Sequence, residues 1–201
     1  MKTRSELFLW IHLGGIAMFP PFFLLTAVGL AVGKSYSYWL EIPLLTTIAI
    51  LPVLLMQLYR PFNIFSVLFL ALKPKSLNED RRRILALFQR KQQKLVNAIA
   101  AVLMLLSLGA IYRWLPMVKG IADLLPQQHI LGLVIASVAF SGANLFVQIP
   151  LNALQVLFTQ ESELDRTELY TSKAIEKNFT TPGIQLNNIP WLSNTGSQKA
   201  N

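Results

Sequence analysis

The sequence predicts an all-α integral membrane protein with four transmembrane helices. Three observations lead there. Hydrophobic residues make up 53% of the 201 residues and charged ones 14%, against about 25% charged in soluble domains. The apolar residues gather into four runs, each long enough to cross a hydrocarbon core, which takes roughly 20 residues. The basic residues cluster between the second and third runs. Residues 60–94 hold nine of the 18 Lys and Arg: Arg60, Lys73, Lys75, Arg81, Arg82, Arg83, Arg90, Lys91 and Lys94. Their only acids are Glu79 and Asp80, so this stretch carries +7 of the net +8. Short loops rich in Lys and Arg stay cytoplasmic, which orients the bundle.

The first span covers residues 7–32. Its apolar run is longer than the 7–15 residues of a signal-peptide core, so an uncleaved span is expected. Pro20 and Pro21 remove two backbone donors, and a kink or non-helical joint is predicted there. The second span covers residues 38–59, with Pro43 and Pro52 inside. The next apolar piece, 62–72, is too short to cross and reads as an interfacial helix bounded by Pro61 and Pro74. Ser76 and Glu79 fit a capping box. A basic amphipathic helix is therefore predicted from about residue 78. Neither Pro nor Gly occurs between Lys75 and Leu108, so this helix is expected to run unbroken into the third span, 95–118. A short loop around Lys119, Gly120 and Pro126 leads to the fourth span, 129–158.

The membrane domain is thus read as 1–158, including the basic loop 60–94. Residues 159–201 are read as a polar, flexible cytoplasmic tail. Four spans and a cytoplasmic middle loop put both termini in the cytoplasm. The aromatic residues agree: Trp10 and Tyr59 suit the inner interface, and Tyr36, Tyr38, Trp39, Tyr112 and Trp114 the outer one.

Asn144, Gln148, Asn152 and Gln155 share one face of the fourth span. Uncompensated amides are costly in lipid, so this face should meet protein, a ligand or water. Interhelical hydrogen bonding or contact with a partner protein is the plain reading; a pigment or lipid site is the sharper one, and the transport path of a small transporter is the remaining alternative. Gly29 with Gly33, and Ser137 with Ser141, have the small-residue spacing of close helix contacts. Glu41 is the single carboxylate inside an apolar run. It reads as interfacial, with Arg113 a plausible partner. His12 is the one histidine well inside a span. It could ligate the magnesium of a chlorophyll, although a hydrogen-bonded His is the simpler reading. Two histidines without clustered carboxylates make no metal site. The chain has no Cys, and it has no Ser-His-Asp set, P-loop, dinucleotide fingerprint or paired acids. These features argue against an enzyme. Arg81, Arg82, Arg83, Arg90, Lys91 and Lys94 are expected to rest on anionic headgroups or dock an acidic partner. Nucleic acid is not expected.

The runs LFLWIHLGGIA, GLAVG, YWLEIPLL, PVLLMQLYRPFNIFSVLFLALKP and NEDRRRILALF resemble the cyanobacterial low-complexity-tail membrane protein family, over about residues 5–158. The tail here is short and only mildly biased, a departure from the family's name. The family offers no catalytic residues to carry over. The resemblance implies a cyanobacterial membrane, thylakoid or plasma, and a role beside photosynthetic complexes. Photosystem subunits would then be partners, and chlorophyll or carotenoid the cofactors to consider.

Overall fold

In the computed structural model, residues 3–33, 38–67 and 70–187 are described. They are mostly helical, and four helical stretches are long and apolar enough to cross a membrane: Leu7–Ala31, Tyr38–Tyr59, Lys91–Ile111 and His129–Phe158. Lys34, Tyr36 and the last part of the tail lie outside the described residues.

The first two spans are irregular just before Pro20 and Pro52, because a proline ring crowds a carbonyl one turn back and supplies no N–H. The first span is α1 (Leu7–Gly14), a 3-10 turn (Gly15–Met18) and α2 (Phe19–Ala31). The predicted joint is therefore present, one turn N-terminal to Pro20 and Pro21. These prolines sit in the first turn of α2, where missing donors cost little. The second span is α3 (Tyr38–Leu45), a π turn (Thr46–Ile50) and α4 (Leu51–Tyr59). The π turn immediately precedes Pro52, and the Leu51 N–H donates to the Thr46 carbonyl. Thr46 and Thr47 hydroxyls donate back to the Ile42 and Pro43 carbonyls at 2.7 and 2.8 Å.

The expected interfacial helix at 62–72 is not there. Instead β1 (Ser66–Val67) pairs antiparallel with β2 (Leu70–Leu72). β2 in turn pairs parallel with β3 (Ile184–Leu186). Asn63 explains the local turn: its Oδ1 accepts from the Phe65 N–H at 3.0 Å and its carbonyl accepts from the Ser66 hydroxyl. Such side-chain bonds compete with helix.

The basic helix is also shorter than expected. α5 covers Glu79–Phe88 and α6 covers Lys91–Ile111, so the helix breaks at Gln89 and Arg90. Its N-cap is Asn78, whose Oδ1 accepts from the Arg81 N–H at 2.9 Å. Ser76 is not the cap; its hydroxyl donates to the Lys73 carbonyl. The third span ends at Ile111, short of 118. A separate helix, α7 (Leu115–Ala122), starts there with Pro116 in its first turn. α8 (His129–Phe158) matches its expected limits. The tail is folded as far as residue 187, against expectation: α9 (Glu161–Asp165), α10 (Ser172–Asn178) and β3 follow, and Leu164, Ile175 and Phe179 are buried.

The chain divides into two compact units. The first comprises residues 1–14, 56–96 and 149–201. It thus combines the start of spans one and three, the end of spans two and four, the basic segment and the tail. Phe8, Phe65, Leu85, Phe88, Val156 and Phe179 are central to its core. The second comprises residues 15–55 and 97–148, with Leu30, Leu45, Leu108 and Phe140 at its centre. Within it α2 meets α8 at backbone distance. A Cβ added to Gly132 would lie 2.4 Å from the Gly29 carbonyl oxygen. Gly33 ends the first span with φ of 72°, a left-handed cap, and its N–H donates to Gln127 Oε1 at 3.1 Å.

Candidate functional site

Two amides of α8, Asn144 and Asn152, tie it to the second span. In the second unit Asn144 is fully buried and its Nδ2 donates to the Ala49 carbonyl, in the π turn, at 3.2 Å. The Gln148 Nε2 donates to Asn144 Oδ1 at 2.9 Å. In the first unit the Asn152 Nδ2 donates to Gln57 Oε1 at 3.4 Å. Gln57 is buried too. Broken helices inside a bundle need such donors, since no water is there to serve the freed carbonyls.

Half of the basic residues named as a docking surface are used inside the first unit. Arg81 reaches Glu6 with two bonds, Nε to Oε2 at 2.9 Å and Nη2 to Oε1 at 3.1 Å. Its guanidinium also lies 5.5 Å from the centroids of both Phe8 and Phe65. Arg83 donates to the Asp165 carbonyl and lies near its carboxylate. Arg90 pairs with Glu163 and donates to the Thr167 hydroxyl at 2.7 Å. Two arginines of the basic segment therefore pair with acids at the start of the tail. Arg82, Lys91 and Lys94 form no ion pair among the described residues.

Beside Arg90, between the first turns of α6 and the last turns of α8, lies a groove of about 450 Å³. Gln155, the fourth amide of the α8 row, lines it along with Gln92 and Gln93. Its remaining wall is largely apolar, from Leu151, Leu154 and Phe158.

In the second unit Glu41, in the first turn of α3, is 1% exposed, so its carboxylate is enclosed by protein instead of reaching water. It accepts from the Tyr112 hydroxyl at 2.8 Å and lies 3.3 Å from His129 Nε2. Tyr112 and His129 thus take the place expected for Arg113. His12 has its Nδ1 2.8 Å from the Phe8 carbonyl oxygen, and its ring meets Phe62 at 5.8 Å.

The sequence pattern of the low-complexity tail membrane protein-like family matches residues 5–191. The chain belongs to that family. No curated protein and no solved structure matches it. The family match extends well past the last span. In this low-complexity tail membrane protein-like chain that agrees with the folded state of α9, α10 and β3.

Several of the residues that matter here were not singled out from the sequence. Glu6, Glu163 and Asp165 are ordinary surface acids until their arginine partners are seen. Gln57 had a usable signal, being the one amide within the second span. The Gly132 and Ala136 pair carried the same small-residue spacing as Gly29 and Gly33, and it is this pair that Gly29 faces. Ser137 and Ser141 bond to one another along α8, hydroxyl of Ser141 to carbonyl of Ser137 at 2.8 Å.

Proposed function

We propose that this membrane protein is a non-catalytic accessory or assembly factor for a photosynthetic membrane complex. It would sit in the thylakoid or plasma membrane of a cyanobacterium with both termini cytoplasmic. One observation carries the non-catalytic part. At mid-helix positions Asn144 donates to the Ala49 carbonyl and Asn152 to Gln57, each on a neighbouring helix. The resemblance to cyanobacterial membrane proteins supplies the setting. Contact with a partner would use lipid-facing helix surface. On α6, Leu95, Ile99, Val102 and Leu106 are all more than half exposed and repeat at 4, 3 and 4 residues. That interval makes a single stripe suited to another helix. Lys91 and Lys94 at its end would meet anionic headgroups or an acidic partner surface.

Pigment binding through His12 has less support, since the imidazole meets the backbone of both Phe8 and Ser66. The test is affinity purification at native expression followed by mass spectrometry. Subunits of a photosynthetic complex should co-purify, and changing Ile99 and Leu106 to Ala should reduce their yield. Recovery of the wild-type protein free of any such subunit refutes the reading.

A further inference from the structure

The groove beside Arg90 has the chemistry of a lipid site, and this inference does not depend on the photosynthetic setting. Its residues belong to the ends of two membrane spans, where acyl chains give way to headgroups. Leu151, Leu154 and Phe158 supply apolar wall, while Gln92, Gln93 and Gln155 supply amides. Its volume of about 450 Å³ is within the usual range of small-molecule sites, roughly 300–1,000 Å³.

Two further observations define the ligand. Gln93 is 5% exposed, yet its Oε1 has no hydrogen-bond donor among the described residues. A buried acceptor left unmade is costly, so an occupant with donors is favoured. The charges at the rim also cancel, because Arg90 is paired with Glu163. An anionic headgroup would find its cation already taken and a carboxylate beside it. Hydroxyl groups both donate and accept, as amides do. We propose that this groove binds the uncharged, hydroxyl-rich headgroup of a membrane lipid, in chemical class a glycosyl diacylglycerol, with its chains against Leu154 and Phe158.

The test uses the full chain, purified in detergent and stripped of lipid. Equimolar monohexosyl diacylglycerol, phosphatidylglycerol and phosphatidylcholine with matched chains are added, and adducts are counted by native mass spectrometry. The expected result is a single-lipid adduct of the hexosyl lipid at least about fivefold more abundant than either phospholipid, about 1 kcal/mol of discrimination. Gln93→Leu and Leu154→Trp should each bring the three lipids within about twofold. Equal retention of the three lipids by the wild type overturns the proposal, as does preference for phosphatidylglycerol. Persistence of the hexosyl preference in Leu154→Trp also overturns it, and this variant decides the matter if Gln93→Leu does not fold.

Discussion

Separating Arg81 from Glu6 should loosen the whole first unit, and the size of the effect follows from the geometry. The guanidinium makes two bonds to the carboxylate, at 2.9 and 3.1 Å, with side chains 20% and 13% exposed. Charge-assisted hydrogen bonds contribute about 1.5–3 kcal/mol each. Breaking a fully buried pair costs about 3–5 kcal/mol, an upper limit that the residual exposure lowers. Glu6→Gln keeps the shape and one acceptor, so its cost should be about 2 kcal/mol by the same figures. Arg81→Met also loses the contacts with Phe8 and Phe65, about 0.5–1 kcal/mol each, and should cost about 3 kcal/mol. The double variant should then be less damaging than the two singles combined, with a coupling of about 1.5 kcal/mol. The assay is denaturant unfolding in detergent micelles, followed by tryptophan fluorescence. Trp10 is a suitable reporter because its Nε1 donates to the Arg4 carbonyl, next to Glu6. A coupling below about 0.5 kcal/mol, the value of an exposed ion pair, would refute the reasoning.

Three other substitutions test separate parts of the fold. Phe179→Ala removes a buried ring packed edge-on to Tyr170 at 6.1 Å; it should cost about 3–4 kcal/mol and expose the tail to limited proteolysis. Gly132→Ala puts a methyl group against the Gly29 carbonyl, and overpacking of this kind costs about 1–3 kcal/mol, read as a lowered melting temperature. Asn152→Leu, which removes the bond to Gln57 and leaves that buried amide without this partner, should cost about 1–3 kcal/mol in the same melt. A larger loss there would mean that the amide row does more than tie helices together.

The spans were legible because length and apolarity alone decide them. Residues 38–59 and 129–158 were read to the residue from these two properties. What failed was whatever depends on distant partners. Within 62–72, Leu70–Leu72 is strand because Leu70 pairs with Ile184, more than a hundred residues on. A short apolar run gives no hint of that. The break at Gln89 has no proline or glycine to announce it. Instead tertiary bonds hold it open: the Gln89 Nε2 donates to the Asn178 carbonyl at 3.1 Å, and Arg90 reaches Glu163 and Thr167. The tail looked unstructured because its apolar residues are few. Leu164, Ile175 and Phe179 suffice because they join a core that the rest of the first unit has already begun. The arginines illustrate the same limit. Their number in the sequence set the expected orientation, but their role as internal braces depended on acids elsewhere in the chain. With the helix broken and three arginines engaged, the rigid basic docking arm gives way to a folded unit braced by its own ion pairs.

Cysteine labelling tests the central claim, that the basic segment and the tail share one folded unit on one membrane face. The chain has no native Cys, so single substitutions can be read without background. Lys75, Glu168 and Leu124 are all exposed. A membrane-impermeant maleimide added to sealed vesicles of known orientation should label Lys75→Cys and Glu168→Cys from the same side, and Leu124→Cys from the opposite side. Labelling of Glu168→Cys from the side that labels Leu124→Cys would contradict the account.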